Sequence, residues 1–266
     1  MEYNHTTPVI KINPEVIKVE QITCGEMTKY IGSMSKATTR MPPGRKLSFL
    51  VTHEQYLLGC ITLASPVINL GVRDEYLGLN NVPSKGKELR KYMDMNGCVG
   101  AQPISWYWNI GKLCALIGAT LGDYVKERYP DDDFIGVTTT SIYGKSIQYN
   151  RIYKFLGYTK GYGHEHISDE KYSEMMQWMR DNGYEIPSSN FGAGSNPRMR
   201  RIAAYRKASG DKKATLFHGK RRGVYYHPAI PPKQRNDVIF NWYERWGLPR
   251  YERLKNQEPP YQTGLD

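Results

Sequence analysis

The chain has 266 residues, 39% hydrophobic and 24% charged, enough to bury a sizeable core in one mixed domain plus a smaller unit. No segment approaches the roughly 18 consecutive apolar residues of a membrane span, and the N-terminus lacks the charged-then-apolar pattern of a signal peptide, so a soluble, cytoplasmic protein with no membrane partner is expected. The net charge of +11 is concentrated: residues 196–255 hold sixteen Lys and Arg against four acids, and the remainder of the chain sums to −1.

Residues 1–44 read as a polar lead-in closed by Met41-Pro42-Pro43-Gly44. Apolar runs at 47–51 and 56–64 flank Thr52-His53-Glu54-Gln55 and predict a hairpin. A further run at 96–102 predicts a strand entering a loop at Pro103. Leu113, Leu116, Ile117, Leu121, Tyr124 and Val125 recur at helical spacing over 110–128, giving one face to lie on a sheet. A strand follows at 134–140, then a short helix at 148–156 ending at Gly157, and a helix from Ser168 to about 182. Strand, loop, helix, strand, helix is an α/β grammar.

In the basic region, Asn196 and Pro197 open a helix over 198–208 that carries Arg198, Arg200 and Arg201. Strands at 214–218 and 224–227 flank Gly219-Lys220-Arg221-Arg222-Gly223 as a basic hairpin tip, and 236–246 reads as a final amphipathic helix before a Pro-containing tail. Tyr205, Phe217, Tyr225, Tyr226, Phe240, Trp242, Tyr243, Trp246 and Tyr251 interleave with these charges, which separates the region from a disordered basic tail. Cations hold phosphates while bases stack on rings, so nucleic acid is the expected partner, with Arg198, Arg200, Arg201, Lys212, Lys213, Lys220, Arg221 and Arg222 as contacts. The same rings also suit a folded subdomain with a solvated basic face.

Cys24, Cys60, Cys98 and Cys114 form no Cys-x-x-Cys pair, so free thiols in a reducing compartment are expected and a zinc ribbon is excluded. His164, His166, His218 and His227 satisfy no ligand spacing, and no metal is assigned. No Walker or Rossmann phosphate loop is present, which argues against a nucleoside triphosphatase. Thr138, Thr139, Thr140, Ser141, Tyr143, Lys145, Gln148, Tyr149 and Asn150 gather just beyond an apolar strand, where α/β sites collect. Hydroxyls and amides there suit a base edge or a substrate amine, and equally suit a strand with packing tyrosines.

Ser65-Pro66-Val67-Ile68-Asn69-Leu70-Gly71-Val72-Arg73-Asp74, with Gly59 before it and Leu77-Gly78 after it, resembles the signature of the DruA-like family of Druantia anti-phage systems. Leu156-Gly157-Tyr158-Thr159-Lys160-Gly161-Tyr162-Gly163 is similar to a second segment of that family. The stretch from Tyr149 to Tyr158 resembles the closing helix and strand of GNAT-type N-acyltransferases, the fold shared by phage Mom-like enzymes that elaborate adenine in DNA. Together these cover residues 47–166. They imply an α/β, GNAT-like mixed sheet flanked by helices, with a basic α+β C-terminal extension, divided as 1–44, 45–183 and 184–266.

The activity implied is transfer of an acyl or aminoacyl-derived group to a DNA base amine, in the cytoplasm of a bacterial host cell. Arg73 and Asp74 would orient one another, Ser141 and Tyr143 would face the base, and Tyr149 or Tyr153 would protonate the leaving group. Trp106, Tyr107 and Trp108 are candidate wedge residues for an extruded base. An acyl-CoA donor requires a Gln/Arg-x-x-Gly-x-Gly/Ala loop at a helix N-terminus. Ser105-Trp106-Tyr107-Trp108-Asn109-Ile110-Gly111-Lys112 supplies only Gly111, with Lys112 beside it as a phosphate contact, so the cofactor stays undetermined. A non-catalytic nucleic-acid-binding component of a phage or anti-phage complex is the alternative.

Overall fold

Strands β2 (Lys46–His53) and β3 (Tyr56–Ala64) are apolar on both sides, and from Leu47 and Leu57 onward every residue of each is buried. A strand lacking polar alternation has to be covered on both faces, which places this hairpin inside a layered sheet. The computed structural model describes residues 10–34, 44–142, 144–164, 167, 169–188, 197–210 and 217–259. They divide into two compact units, Met1–Gly161 with Arg221–Asp266, and Tyr162–Lys220.

The first unit holds a seven-stranded sheet in the order β1-β2-β3-β4-β5-β7-β6. Edge strand β1 (Ile17–Ile22) and helix α1 (Cys24–Met34) lie within the stretch expected as a lead-in. Ile17 faces the core while its polar neighbours stay in solvent, a short pattern that a sequence scan passes over. After β2 and β3 come the short helices α2 (Gly71–Tyr76) and α3 (Lys85–Glu88), then β4 (Tyr92–Gly100). Strand β4 begins four residues before its predicted start because Arg45 fixes its entry. That guanidinium donates to the Tyr92 and Arg90 carbonyls and to the buried Asp132 carboxylate.

Helices α4 (Ile104–Trp108), α5 (Ile110–Gly118) and α6 (Gly122–Arg128) follow. The predicted 110–128 helix is thus interrupted. Thr120 turns its hydroxyl onto the Ile117 carbonyl, and Arg235 clamps the break through the Thr120 carbonyl and Asp123. Helix α5 is buried along almost its whole length and packs on β3 and β4.

Strand β5 (Gly136–Thr140) pairs parallel with β4, whereas the β1–β2, β2–β3, β3–β4 and β5–β7 pairs are antiparallel. The helix predicted at 148–156 is instead a series of turns leading into β6 (Lys154–His164). Arg151 has φ +68°, outside the right-handed helical region, and β7 supplies the neighbouring strand. Strand β7 (Phe217–Pro228) runs unbroken through Gly219 to Gly223, so the predicted basic hairpin tip is the middle of a strand flanked by β5 and β6.

In the second unit, α7 (Asp169–Asp181) and α8 (Pro197–Ser209) pack around Met175, Met176, Met179 and Ile202. Trp178 stacks on Tyr184 at 5.6 Å and meets Tyr205 edge-on at 5.3 Å. Back in the first unit, α9 (Arg235–Trp242) continues through a π-helical turn into α10 (Leu248–Leu254), where a Pro-containing tail was expected. Trp242 and Trp108 are fully buried, and Trp108 stacks between Tyr251 at 4.3 Å and Tyr243 at 5.8 Å. Residues 184–266 are therefore shared between the units. Among the described residues, no helix is long and apolar enough to cross a membrane.

Candidate functional site

The parallel β4–β5 junction carries the polar residues that the core does not account for. Asp94 on β4 pairs with Thr138 on β5, which pairs with Tyr226 on β7, so the three stand in one row on one face of the sheet. The Thr138 hydroxyl donates to Asp94 Oδ1 at 2.8 Å. Asp94 is half-buried, and loss of water raises its pKa to about 6 although Thr138 and the charge of Arg73 both act to lower it. An acid poised there exchanges protons near neutral pH.

Arg73 of α2 is fully buried. Its Nε and Nη2 donate to Asp74 Oδ1 at 2.9 and 2.6 Å, and Nη2 also reaches the Ile68 carbonyl at 3.2 Å. Nη1 makes no hydrogen bond among the described residues. Asp74 Oδ2 accepts from Lys85 Nζ at 2.6 Å and from the Leu70 amide at 2.9 Å, which closes the first turn of α2. Burial pushes the Asp74 carboxyl up, but Lys85, the Leu70 amide and Arg73 together hold it below its ordinary value. The predicted Arg73–Asp74 dyad is thus a real pair. Asp74 is thereby held ionised at neutral pH, whereas the Asp94 carboxyl is raised to about 6.

Tyrosines line the same region. Tyr226 lies 5.5 Å from Tyr76 and 6.3 Å from Tyr92, and burial raises the phenol pKa of both Tyr92 and Tyr226. Tyr76 is 42% exposed, with Lys154 Nζ 4.4 Å from its ring centre. Gly157, at φ +142°, brings β6 against α2, since a Cβ there would meet Val72 at 3.0 Å.

The other predicted residues go elsewhere. Tyr149 and Tyr153 are buried in the core, Tyr153 donating to the Ala115 carbonyl at 2.8 Å. Burial drives both phenols well above the ordinary value, so neither serves as an acid near neutrality. Ser141 donates to the Gly144 carbonyl and accepts from the Gly223 amide at 3.1 Å, tying β5 to β7. Tyr143, Lys212 and Lys213 lie outside the described residues, as does His166 of the His164/His166 pair. Among the described residues no group of three His, Cys, Asp or Glu is placed to hold a metal.

The expected cofactor residues are also engaged. Lys112 Nζ donates to the carbonyls of Ile147, Gln148 and Asn150 at 3.1, 3.2 and 2.7 Å. A Cβ on Gly111 would stand 3.0 Å from the Gln148 side chain, whose amide donates to the Cys98 carbonyl at 3.0 Å. The start of α5 is therefore closed by the chain's own 146–150 loop. Tyr107 and Trp108 are buried, donating to the Gln257 and Ile10 carbonyls, and Trp106 is half-buried against Tyr107. They pack α4 against the C-terminal helices and are not wedges.

In the second unit, Arg198, Arg200 and Arg201 donate to the carbonyls of Ile167, Ser188 and Pro187. Lys220, Arg221 and Arg222 belong to β7, Lys220 at the end of the second unit and Arg221 and Arg222 in the first, with Arg221 exposed and Arg222 half-buried. Thr138 was among the polar residues singled out in the sequence, whereas Asp94 and Lys85 were missed by sequence reasoning. The available signal was a single acid within the apolar run Tyr92-Met93-Asp94-Met95, which needs a partner when buried.

The family model described as Druantia protein DruA matches residues 5–236. The chain is 31% identical over 240 residues to the Druantia protein DruA of Escherichia coli (strain UMEA 4076-1), an alignment covering 81% of this chain and 59% of that relative. The chain thus spans about three-fifths of the curated relative it matches.

Proposed function

The chain belongs to the Druantia protein DruA family, and on that premise we propose that it acts in anti-phage defence by transferring an acyl or aminoacyl-derived group to an amine of a nucleic-acid base, DNA foremost. The observation that carries this is Asp94, an acid with pKa about 6 held in the sheet face between Thr138 and the buried Arg73. In the step, the amine nitrogen bonds to the acyl carbon of an activated donor, the bond from that carbon to the leaving group breaks, and Asp94 takes the amine proton. A base within a duplex is out of reach, so the substrate is extruded or single-stranded.

A GNAT-like description of the sheet is supported by its mixed strand order, by the parallel β4–β5 pair and by the helices that follow β4. Acyl-CoA is the donor such a sheet implies, and the residues here do not fit its pyrophosphate: Gln148 abuts Gly111, and Lys112 is committed to three carbonyls. That closure favours a second reading, a DruA protein that binds nucleic acid without modifying it.

Nucleoside masses from DNA of cells expressing the intact chain or Asp94→Asn separate the two. A new mass present only with the intact chain supports transfer. Unmodified nucleosides in both, with DNA still bound by the purified protein, support the binding component.

A further inference from the structure

Residues 10–16, which lead into β1, are held to the first unit through one imidazole. His53, the last residue of β2, is 4% exposed, and its Nε2 accepts from the Asn13 amide at 2.9 Å. A ring nitrogen that accepts carries no proton, so the neutral ring is protonated at Nδ1. Nδ1 is itself buried and has no hydrogen-bond partner among the described residues. The site thus admits one protonation state. A second proton would sit on Nε2 facing the Asn13 N–H, donor against donor, and would leave a buried charge without an acceptor.

The segment has two further ties. The Ile10 carbonyl accepts from the Trp108 indole of α4 at 2.8 Å, and Ile12 is 1% exposed within the main core. Asn13 joins these ties to β1, because its side chain accepts from the Glu15 amide at 3.0 Å and its carbonyl from the Val16 amide, forming the 3-10 turn Pro14–Val16. A rotation that withdraws the Asn13 amide from His53 therefore acts on the whole segment. Burial lowers the His53 pKa from its ordinary 6.5, against Glu54 in the β2–β3 turn and the ring's own backbone, which raise it. Lys11 and Glu15 in the segment and Lys18 on β1 are exposed, and Tyr56, paired with His53 from β3, is half-buried.

We propose that the His53–Asn13 contact is an acid-released latch, which holds residues 10–16 on the sheet while the imidazole is neutral and frees them, with the Trp108 contact, when the ring is protonated. The latched ring binds its proton less tightly than a free one. The latch is accordingly closed above about pH 6.5 and loosens as pH falls below it. His227 on β7, whose pKa burial also lowers, destabilises the fold in the same direction, whereas Asp94 acts in the opposite one, its stabilising proton being lost as pH rises through about 6. Total stability against pH therefore mixes three groups, and the latch has to be read locally.

The test is hydrogen exchange of the full chain at about pH 7.5 and about pH 5.5, each rate divided by its intrinsic rate at that pH. Protection of the Asn13 amide and of the Trp108 indole N–H is expected to fall by about three- to tenfold at the lower pH, relative to amides of the β2–β3 ladder. His53→Gln keeps an oxygen where Nε2 accepts but does not titrate, so its Asn13 protection should be the same at both pH values. NMR of the imidazole nitrogens in the intact chain keeps the proposal testable if that variant does not fold, since His53 should be neutral with the proton on Nδ1 and titrate below 6.5. Unchanged protection in the intact chain, the same pH dependence in His53→Gln, loosening of Asn13 without Trp108, or a His53 that titrates at or above 6.5 overturns the latch.

Discussion

The Thr138 hydroxyl on β5 donates to the Asp94 carboxyl on β4, 2.8 Å across the parallel junction of the sheet and 44 residues away in sequence. This bond fails to keep the carboxyl at its ordinary value because burial outweighs it, raising the pKa from 3.8 to about 6. The folded state therefore holds the proton more firmly than the unfolded chain does. The associated stability is fully present below about pH 4 and is lost as pH rises through about 6. At about 1.4 kcal/mol per pKa unit the loss has a ceiling of about 3 kcal/mol. Asp94→Asn keeps an acceptor for Thr138 and removes the charge. Its melting temperature should exceed that of the intact protein at pH 8 and match it near pH 4, as read by thermal unfolding at the two pH values. Transfer activity, which needs the carboxylate, should rise through about pH 6 in the intact chain and vanish in the variant.

Asp74 is the carboxylate on which α2 is built. Asp74→Asn leaves the fully buried Arg73 guanidinium without a counter-charge, a loss of about 3–5 kcal/mol in urea denaturation. Lys85→Met removes a partly exposed partner of the same carboxylate and should cost about 1 kcal/mol or less. If the two variants were equally destabilised, Arg73 would not be what Asp74 serves. Arg73→Ala is for the same reason a poor probe of chemistry, since it removes the support of α2 along with any role toward substrate.

What the sequence disclosed and what it hid follow from the range of the interactions. The β2–β3 hairpin was legible because each strand carries a dense apolar run and its turn is local. The turns at 148–153 and the first residues of β6 read as a helix because the strand's neighbour β7 lies about 60 residues downstream, and no local periodicity records that pairing. Arg73 and Asp74 were visible as adjacent opposite charges, but Asp94 acquires its role from Thr138 and Arg73, which only the folded sheet brings near. Tyr149 and Tyr153 carried the chemistry of acids in the sequence and the burial of core residues in the fold.

Gly223 holds the crossing of β5 and β7. A Cβ there would stand 2.5 Å from the Gly144 carbonyl oxygen and 2.9 Å from Ser141 Oγ, and the Ser141 amide already donates to the Gly223 carbonyl. Backbone at that distance cannot yield as a flexible side chain can. Gly223→Ala should therefore destabilise by about 1–3 kcal/mol. Ser141→Ala, which deletes a hydroxyl that donates to the Gly144 carbonyl and accepts from the Gly223 amide but leaves the strands in place, should cost about 1 kcal/mol. Chemical denaturation of the pair checks the order, and a neutral Gly223→Ala would mean that the Gly144 turn is free to move aside.

Lys112 decides whether the start of α5 is permanently closed. Burial, followed by the charge of Arg151, lowers its pKa to about 8, yet the ammonium is retained because three carbonyls of the 147–150 turn converge on it. The folded value lies below the ordinary 10.5, so the cost of the buried charge is borne in full below about pH 8 and relieved as pH rises toward 10.5. Lys112→Met removes both the charge and the clasp. Global stability should consequently change by no more than about 2 kcal/mol, because the exposed ends of the turn recover water as a partner. Amide exchange at Tyr149, Asn150, Ile152 and Tyr153, whose N–H groups bond within that turn, should accelerate by about tenfold or more. Acetyl-CoA binding measured calorimetrically on both proteins completes the argument. Binding to Lys112→Met alone would show that the clasp hides a donor site, whereas binding to the intact chain would overturn the closure inferred from Gly111, Lys112 and Gln148.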